Sequence, residues 1–168
     1  MKIGLLSDTH GWINPRIFDH FEKCDEIWHA GDIGSIETAD SLSAFKPLKA
    51  VYGNIDDAVI RRSFRENLHF MSEGMKVWLT HIGGYPGNYD RRVRQELIDK
   101  PPDIFICGHT HITRVIYDKK MNFLYINPGA AGYKGFHKVM TVIRFQIDGR
   151  EIHDMEVIEL GERSSETI

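Results

Sequence analysis

Residues 2–10 read K-I-G-L-L-S-D-T-H, and this run decides the fold. Lys2–Ser7 is short and apolar, the pattern of a buried first strand, with Asp8 and His10 directly behind it. Asn14–Glu22 places Ile17, Phe18 and Phe21 at helical spacing, with Pro15 near its start. Glu26–Ala30 reads as a second short strand, Ile36–Phe45 as a second helix and Leu48–Tyr52 as a third strand. Strands alternating with helices imply right-handed crossovers and a parallel sheet.

Further along, the rhythm changes. Leu68–Met71 and Lys76–Thr80 flank a Glu73-Gly74 turn and predict a hairpin. Tyr89–Ile98 predicts a helix that ends before Pro101-Pro102. Asp103–Cys107 predicts a buried strand, and Thr113–Tyr117, Phe123–Ile126, Val139–Ile147 and Glu151–Val157 predict turn-linked strands. The reading is one α/β domain over residues 1–160, a mixed sheet from the first half packed on a second, largely antiparallel sheet from the C-terminal half. Residues 161–168 are expected to be a frayed tail.

The hydrophobic share of 42% and charged share of 27% suit one ordinary globule of 168 residues. A net charge of −3 gives no basic field for nucleic acid. Cys24 and Cys107 provide neither a zinc spacing nor a disulfide framework. The apolar run Ile3–Leu6 is too short for a signal or a membrane span, so a cytoplasmic protein is expected.

Polar clusters stand behind successive predicted strands. They are Ser7–His10, Gly31-Asp32, Gly53-Asn54, Thr80-His81 and Gly108-His109-Thr110-His111. In open α/β sheets ligands bind beyond the carboxyl ends of strands, so these clusters are expected to converge on one rim. Asp8, His10, Asp32, Asn54, His81, His109 and His111 form a mixed oxygen and nitrogen ligand set. In an extended segment residues i and i+2 share a face, so D-x-H and H-x-H are each expected to grip an ion. One carboxylate between two such grips could bridge ions roughly 3.5–4 Å apart, as in two-metal hydrolysis of phosphate esters. Taken singly, the fragments are turns or caps; all in order at strand ends, they make a site.

In that order the motifs resemble those of the calcineurin-like metallophosphoesterases. The short length, K-I-G-L-L-S-D-T-H-G, H-A-G-D and Asn127-Pro128-Gly129 are similar to the small bacterial and archaeal phosphodiesterase branch. The resemblance spans roughly residues 1–147 and implies a two-sheet mixed β-sandwich flanked by α-helices. It implies one divalent ion on Asp8, His10, Asp32 and His111, and a second on Asp32, Asn54, His81 and His109. A bridging hydroxide would hydrolyse a small phosphodiester. Asp32, Asn54, His81 and His109 would carry the catalysis. The resemblance favours Mn²⁺, with Fe, Ni²⁺ or Zn²⁺ also suited to carboxylate and imidazole. It leaves a homo-oligomer open. The rival readings are a phosphomonoesterase or nucleotide pyrophosphatase on the same metals, and a scaffold module on the same fold. A nuclease ranks low on charge and length.

The chain departs from the family pattern at three places. Ile55 stands where many members carry a His after Gly-Asn, His81-Ile82-Gly83 replaces H-G-H, and Ala130-Ala131 replaces the Ser and Arg after N-P-G. Without the His a proton donor is missing, so good leaving groups are expected. Asp56 is expected either to bond a ligand His or to serve the turn. His29 is read as packed or supporting the site, and His137 as within reach of the pocket. Arg61, Arg62, Arg91, Arg92 and Arg94 read as solvated charge, and Trp12 as an apolar anchor.

Overall fold

The computed structural model describes residues 1–163. The first half folds as β1 (Lys2–Leu6), α1 (Arg16–Phe21), β2 (Glu26–His29), α2 (Ile36–Phe45), β3 (Leu48–Ala50) and α3 (Ala58–Ser63). Next come β4 (Asn67–Ser72), β5 (Met75–Thr80), the small hairpin β6 (Gly84–Tyr85) and β7 (Asn88–Tyr89), and α4 (Arg91–Asp99). The last part is β8 (Ile104–Ile106), β9 (Arg114–Asp118), β10 (Phe123–Asn127), β11 (Val139–Asp148) and β12 (Glu151–Glu162).

Two five-stranded sheets result, ordered β12-β11-β1-β2-β3 and β4-β5-β8-β10-β9. Strands β1, β2 and β3 run parallel, as do β5, β8 and β10. Both sheets are therefore mixed, and the expectation of a largely antiparallel second sheet from the C-terminal half is corrected. The reason is α4: it lies between β5 and β8, and a helix joining neighbouring strands makes a parallel crossover. The C-terminal hairpin β11–β12 instead joins the first sheet, where β11 covers the free edge of β1 with Leu5 opposite Ile143. A buried strand cannot leave that row of amides unpaired.

Alternation along each strand builds three layers. Ile3 and Leu5 face Val77, Leu79, Ile104 and Ile106 between the sheets. Leu6 and Ile27 face outward onto Ile17, Phe21 and Leu42 of α1 and α2. Trp78, Phe105 and Tyr125 face outward onto Val93 and Leu97 of α4. Each such large apolar side chain contributes about 1.5–3 kcal/mol through burial.

The tail expectation is corrected in part. Gly161 and Glu162 end β12, paired with Met140 and Val139, because β11 begins at Val139 and needs a partner there. Residues 164–168 lie outside the described residues. Helix α4 starts at Arg91, where the Asp90 side chain accepts the Arg92 N–H, and Tyr89 belongs to β7. Among the described residues no helix is long and apolar enough to cross a membrane.

Candidate metal centre

The carboxyl ends of β1, β2, β3, β5 and β8 deliver all the predicted ligands to one rim. The loops behind β1 and β2 run side by side: the N–H groups of Asp8 and His10 donate to the carbonyls of Gly31 and Asp32, each at 3.0 Å. The expected extended D-x-H and H-x-H grips are not what the backbone does. Asp8 (φ 56°), His10 (φ 51°), Asp32 (φ 53°), His109 (φ 68°) and His111 (φ 59°) all take left-handed backbone. A left-handed residue reverses the chain locally, so ligands leave the sheet and turn back toward the rim. For a non-glycine residue that conformation costs about 1–2 kcal/mol.

Glycines let the loops close on one another. A Cβ on Gly53 would stand 2.0 Å from Asp32 Oδ1, and one on Gly108 would stand 2.0 Å from Ser7 Oγ and 2.8 Å from Asp8 Oδ2. Gly53 does not have the positive φ expected of a turn glycine; its role is close approach.

Two ligand groups form, Asp8–His10–His111 and Asp32–His81–His109. In the first, His111 Nε2 is 3.1 Å and His10 Nε2 3.7 Å from Asp8 Oδ1. In the second, His81 Nε2 lies 3.3 Å from Asp32 Oδ2 and 3.1 Å from Asn54 Oδ1. Asp32 Oδ2 is also 3.6 Å from His10 Nε2 and so stands between the groups. Its other oxygen, Oδ1, accepts the Ile55 N–H at 3.0 Å, which leaves Oδ2 as the free one.

The donor set fits divalent cations. Two donors each about 2.1 Å from one ion lie about 3.0–3.4 Å apart at octahedral or tetrahedral angles, close to the spacings above. His10 Nε2 is buried without a hydrogen-bond partner, a state that polar atoms rarely tolerate. Asp8 is 0% and Asp32 2% exposed, and among the described residues neither pairs with a Lys or Arg.

The electrostatics agree. Burial opposes ionisation of Asp8, but the imidazoles of His10, His111 and His81 beside it hold its carboxyl well below the usual carboxylate range. Asp32 is lowered too, His81 and the Ile55 amide outweighing burial. His81 is raised despite its burial by Asp32 and Asp8, while burial and His81 push His109 down. His81 Nδ1–H donates to the Ala30 carbonyl at 2.7 Å, which turns Nε2 toward the carboxylates. A cation entering the site displaces whatever proton that nitrogen carries.

The surrounding residues divide differently from expectation. Asp56 touches no ligand His: Oδ2 accepts the N–H groups of Ile33 (3.1 Å) and Gly53 (2.8 Å), and Oδ1 that of Gly34 (2.7 Å). It binds the Asp32 loop to the Asn54 loop through their backbones. His29 is fully buried, and burial pushes its pKa down to about 3. Its Nδ1 accepts the Gly31 N–H and its Nε2–H donates to Thr9 Oγ1, which donates to the Ile33 carbonyl. His137 reaches His111, with Nδ1 atoms 3.2 Å apart.

Two supporting residues escaped the sequence reading. Asn127 Nδ2 donates to the Gly108 carbonyl and Thr110 Oγ1, fixing the G-H-T-H loop; its Asn-Pro-Gly setting was the available signal. Arg61, read as solvated charge, lies over the Tyr52 ring and donates to the carbonyls of Asp56, Gly53 and Asn54. Trp12 packs edge-on against Tyr133, as an anchor should. Beside Asn54 and His81 opens a cleft of about 280 Å³, bordered by Arg61, Asn67, Trp78 and Arg92.

Residues 1–150 match the calcineurin-like phosphoesterase superfamily domain. A probable metallophosphoesterase of Methanothermobacter thermautotrophicus is 30% identical over 166 residues, covering 96% of this chain and 94% of the relative. A Methanocaldococcus jannaschii protein named as a phosphodiesterase is 30% identical over 155 residues, covering 79% of this chain and 86% of the relative. Among solved structures, zinc-complexed Vps29 of Entamoeba histolytica superposes with a TM-score of 0.72 at 20% identity, covering 96% of this chain and 100% of that one. An archaeal phosphodiesterase superposes with a TM-score of 0.73 at 21% identity, covering 94% and 100%. At those identities the structural likeness speaks for the fold.

Proposed function

This chain belongs to the calcineurin-like phosphoesterase superfamily, and on that premise we propose that it is a two-metal phosphodiesterase. Asp8, His10, Asp32 and His111 would hold one ion, and Asp32, Asn54, His81 and His109 the other, with Mn²⁺ favoured. The observation that carries the reading is Asp32 Oδ2, which faces His10 Nε2 on one side and His81 Nε2 on the other while His10 Nε2 has no partner. The phosphodiesterase name of the M. jannaschii relative supports the ester class. Bound ions supply Lewis acidity toward phosphoryl oxygens and a water acidic enough to attack near neutral pH.

The chain's own residues set the geometry. The Ile55 amide occupies Asp32 Oδ1 and leaves Oδ2 facing both candidate groups. Asn54 would offer a bound ion a neutral oxygen, keeping it more electrophilic than a carboxylate would. Ile55 is 46% exposed at the rim and has no proton to give a leaving group. General acid catalysis contributes typically about 10²–10⁴-fold, so substrates with good leaving groups, aryl or nucleoside phosphodiesters, are the ones this site turns over. We place the enzyme in the cytoplasm.

The test uses metal-stripped protein given back Mn²⁺ and assayed on bis(p-nitrophenyl) phosphate. Wild type should be active only with metal, and Asp32→Ala and His109→Ala should both lose activity. Metal-independent turnover, or full activity in both variants, overturns the mechanism. Equal rates on an alkyl phosphomonoester and the aryl diester overturn the substrate preference.

A further inference from the structure

We infer that His137 is a positioning residue for the Asp8–His10–His111 metal site, holding His111 by a histidine-to-histidine hydrogen bond. The inference rests on the two-ion reading of the site. His137 Nε2 stands 2.8 Å from the Gly132 carbonyl, which only accepts, so that nitrogen carries a proton and donates. The neutral ring then offers a lone pair at Nδ1, and 3.2 Å away stands Nδ1 of His111. A His111 that gives its Nε2 lone pair to a cation carries its proton on Nδ1. That proton points at His137, and Nε2 points at Asp8 Oδ1, 3.1 Å away. The chain of contacts runs from a backbone carbonyl through two imidazoles to the metal position. Ligating histidines usually rest on a carboxylate, carbonyl or water, as His81 rests on Ala30; here a second imidazole serves.

The loop that carries His137 is shaped around this contact. Gly135 lies at φ +131°, and a Cβ there would stand 2.2 Å from His111 Nδ1 and 3.1 Å from His137 Nδ1. The glycine hydrogens therefore pack over the imidazole pair, and any side chain would separate it. The two rings meet edge to face at 5.1 Å between centroids. His137 itself is half-buried on a loop, so its replacement leaves the core untouched.

The test is Mn²⁺ calorimetry on the metal-stripped full chain. Losing an outer-shell partner of a ligand typically costs 10–100-fold in metal affinity. His137→Leu should lose about that factor at one of two sites and leave the other within about twofold. His137→Asn, whose side-chain oxygen can take the place of Nδ1, should recover most of the loss, and Gly135→Ala should resemble the leucine variant. In the zinc-loaded protein a nitrogen–nitrogen coupling across the hydrogen bond should join the two Nδ1 atoms in the NMR spectrum. Wild type that binds two ions while His137→Leu binds them equally well overturns the inference alone. An asparagine variant as weak as leucine, or absence of the coupling, does the same. Wild type that takes up no Mn²⁺ overturns the two-ion reading and the inference with it.

Discussion

Asp56→Ala should be among the most destabilising single changes near the site, although Asp56 touches neither a ligand side chain nor the cleft. Its carboxylate is 4% exposed and accepts three backbone N–H groups, from Ile33, Gly34 and Gly53. Truncation orphans all three. A buried donor left without a partner costs about 1–3 kcal/mol. The Gly34 amide, only part-buried, finds water, which leaves about 2–6 kcal/mol from the other two. Net stabilities run to about 5–15 kcal/mol, so the variant forfeits a large share. At about 2–4 °C per kcal/mol for a domain of this size, the midpoint should fall by roughly 5–20 °C. Asp56→Asn keeps one acceptor oxygen and should land between wild type and alanine. The assay is thermal unfolding by circular dichroism on metal-stripped protein at neutral pH. An alanine midpoint within about 2 °C of wild type refutes the account of Asp56 as the tie between the two loops.

The geometry sets three further outcomes. Gly53→Ala places a methyl 2.0 Å from Asp32 Oδ1; the carboxylate must move by about an ångström, and misplacement of that size costs about 10²-fold in turnover, measured on the aryl diester with fold checked by circular dichroism. His29 has a folded pKa near 3 against about 6.5 in the unfolded chain. Its folded pKa is the lower, so the unfolded chain binds the extra proton between those values: stability is full above pH 6.5 and declines as pH falls. The decline from this residue is about 2 kcal/mol between pH 8 and 5, read by urea unfolding, and His29→Asn should remove it. Burial pushes the Cys107 thiol up to about 12, so only about one molecule in 10⁴ is thiolate at pH 8. With Cys24 also buried, a disulfide reagent should label neither cysteine until the chain unfolds; prompt labelling of Cys107 would show that β8 opens.

The convergence of the candidate ligands on one rim was legible because each follows an apolar run, and strand ends are where a parallel sheet presents its loops. Asp8, His10, Asp32, His81, His109 and His111 needed no three-dimensional information beyond that rule. Asn54 was legible through Gly53. What the sequence concealed is conformation and long-range bonding. No local pattern distinguishes extended from left-handed backbone in D-T-H, since the loop pairing that enforces it comes from residues near Gly31. Arg61 resembles any helix-surface arginine until the preceding loop folds beneath it. His137 stands far from His111 in sequence, and the pairing of β9 with β10, Asn127 opposite Arg114, brings their loops together. The assignment of β11 and β12 to the first sheet was concealed for the same reason: hairpins announce their own pairing, but not which sheet they will extend.

The left-handed backbone at Asp8, His10, Asp32, His109 and His111 sets the fold and its chemistry at odds. At about 1–2 kcal/mol each, these five residues together strain the chain by an amount comparable with a domain's whole net stability. Glycine would adopt every one of those conformations freely. A descendant freed from its catalytic duty would therefore gain stability by drifting to glycine at these positions. Aspartate and histidine hold against that pull only while something selects for what they bind.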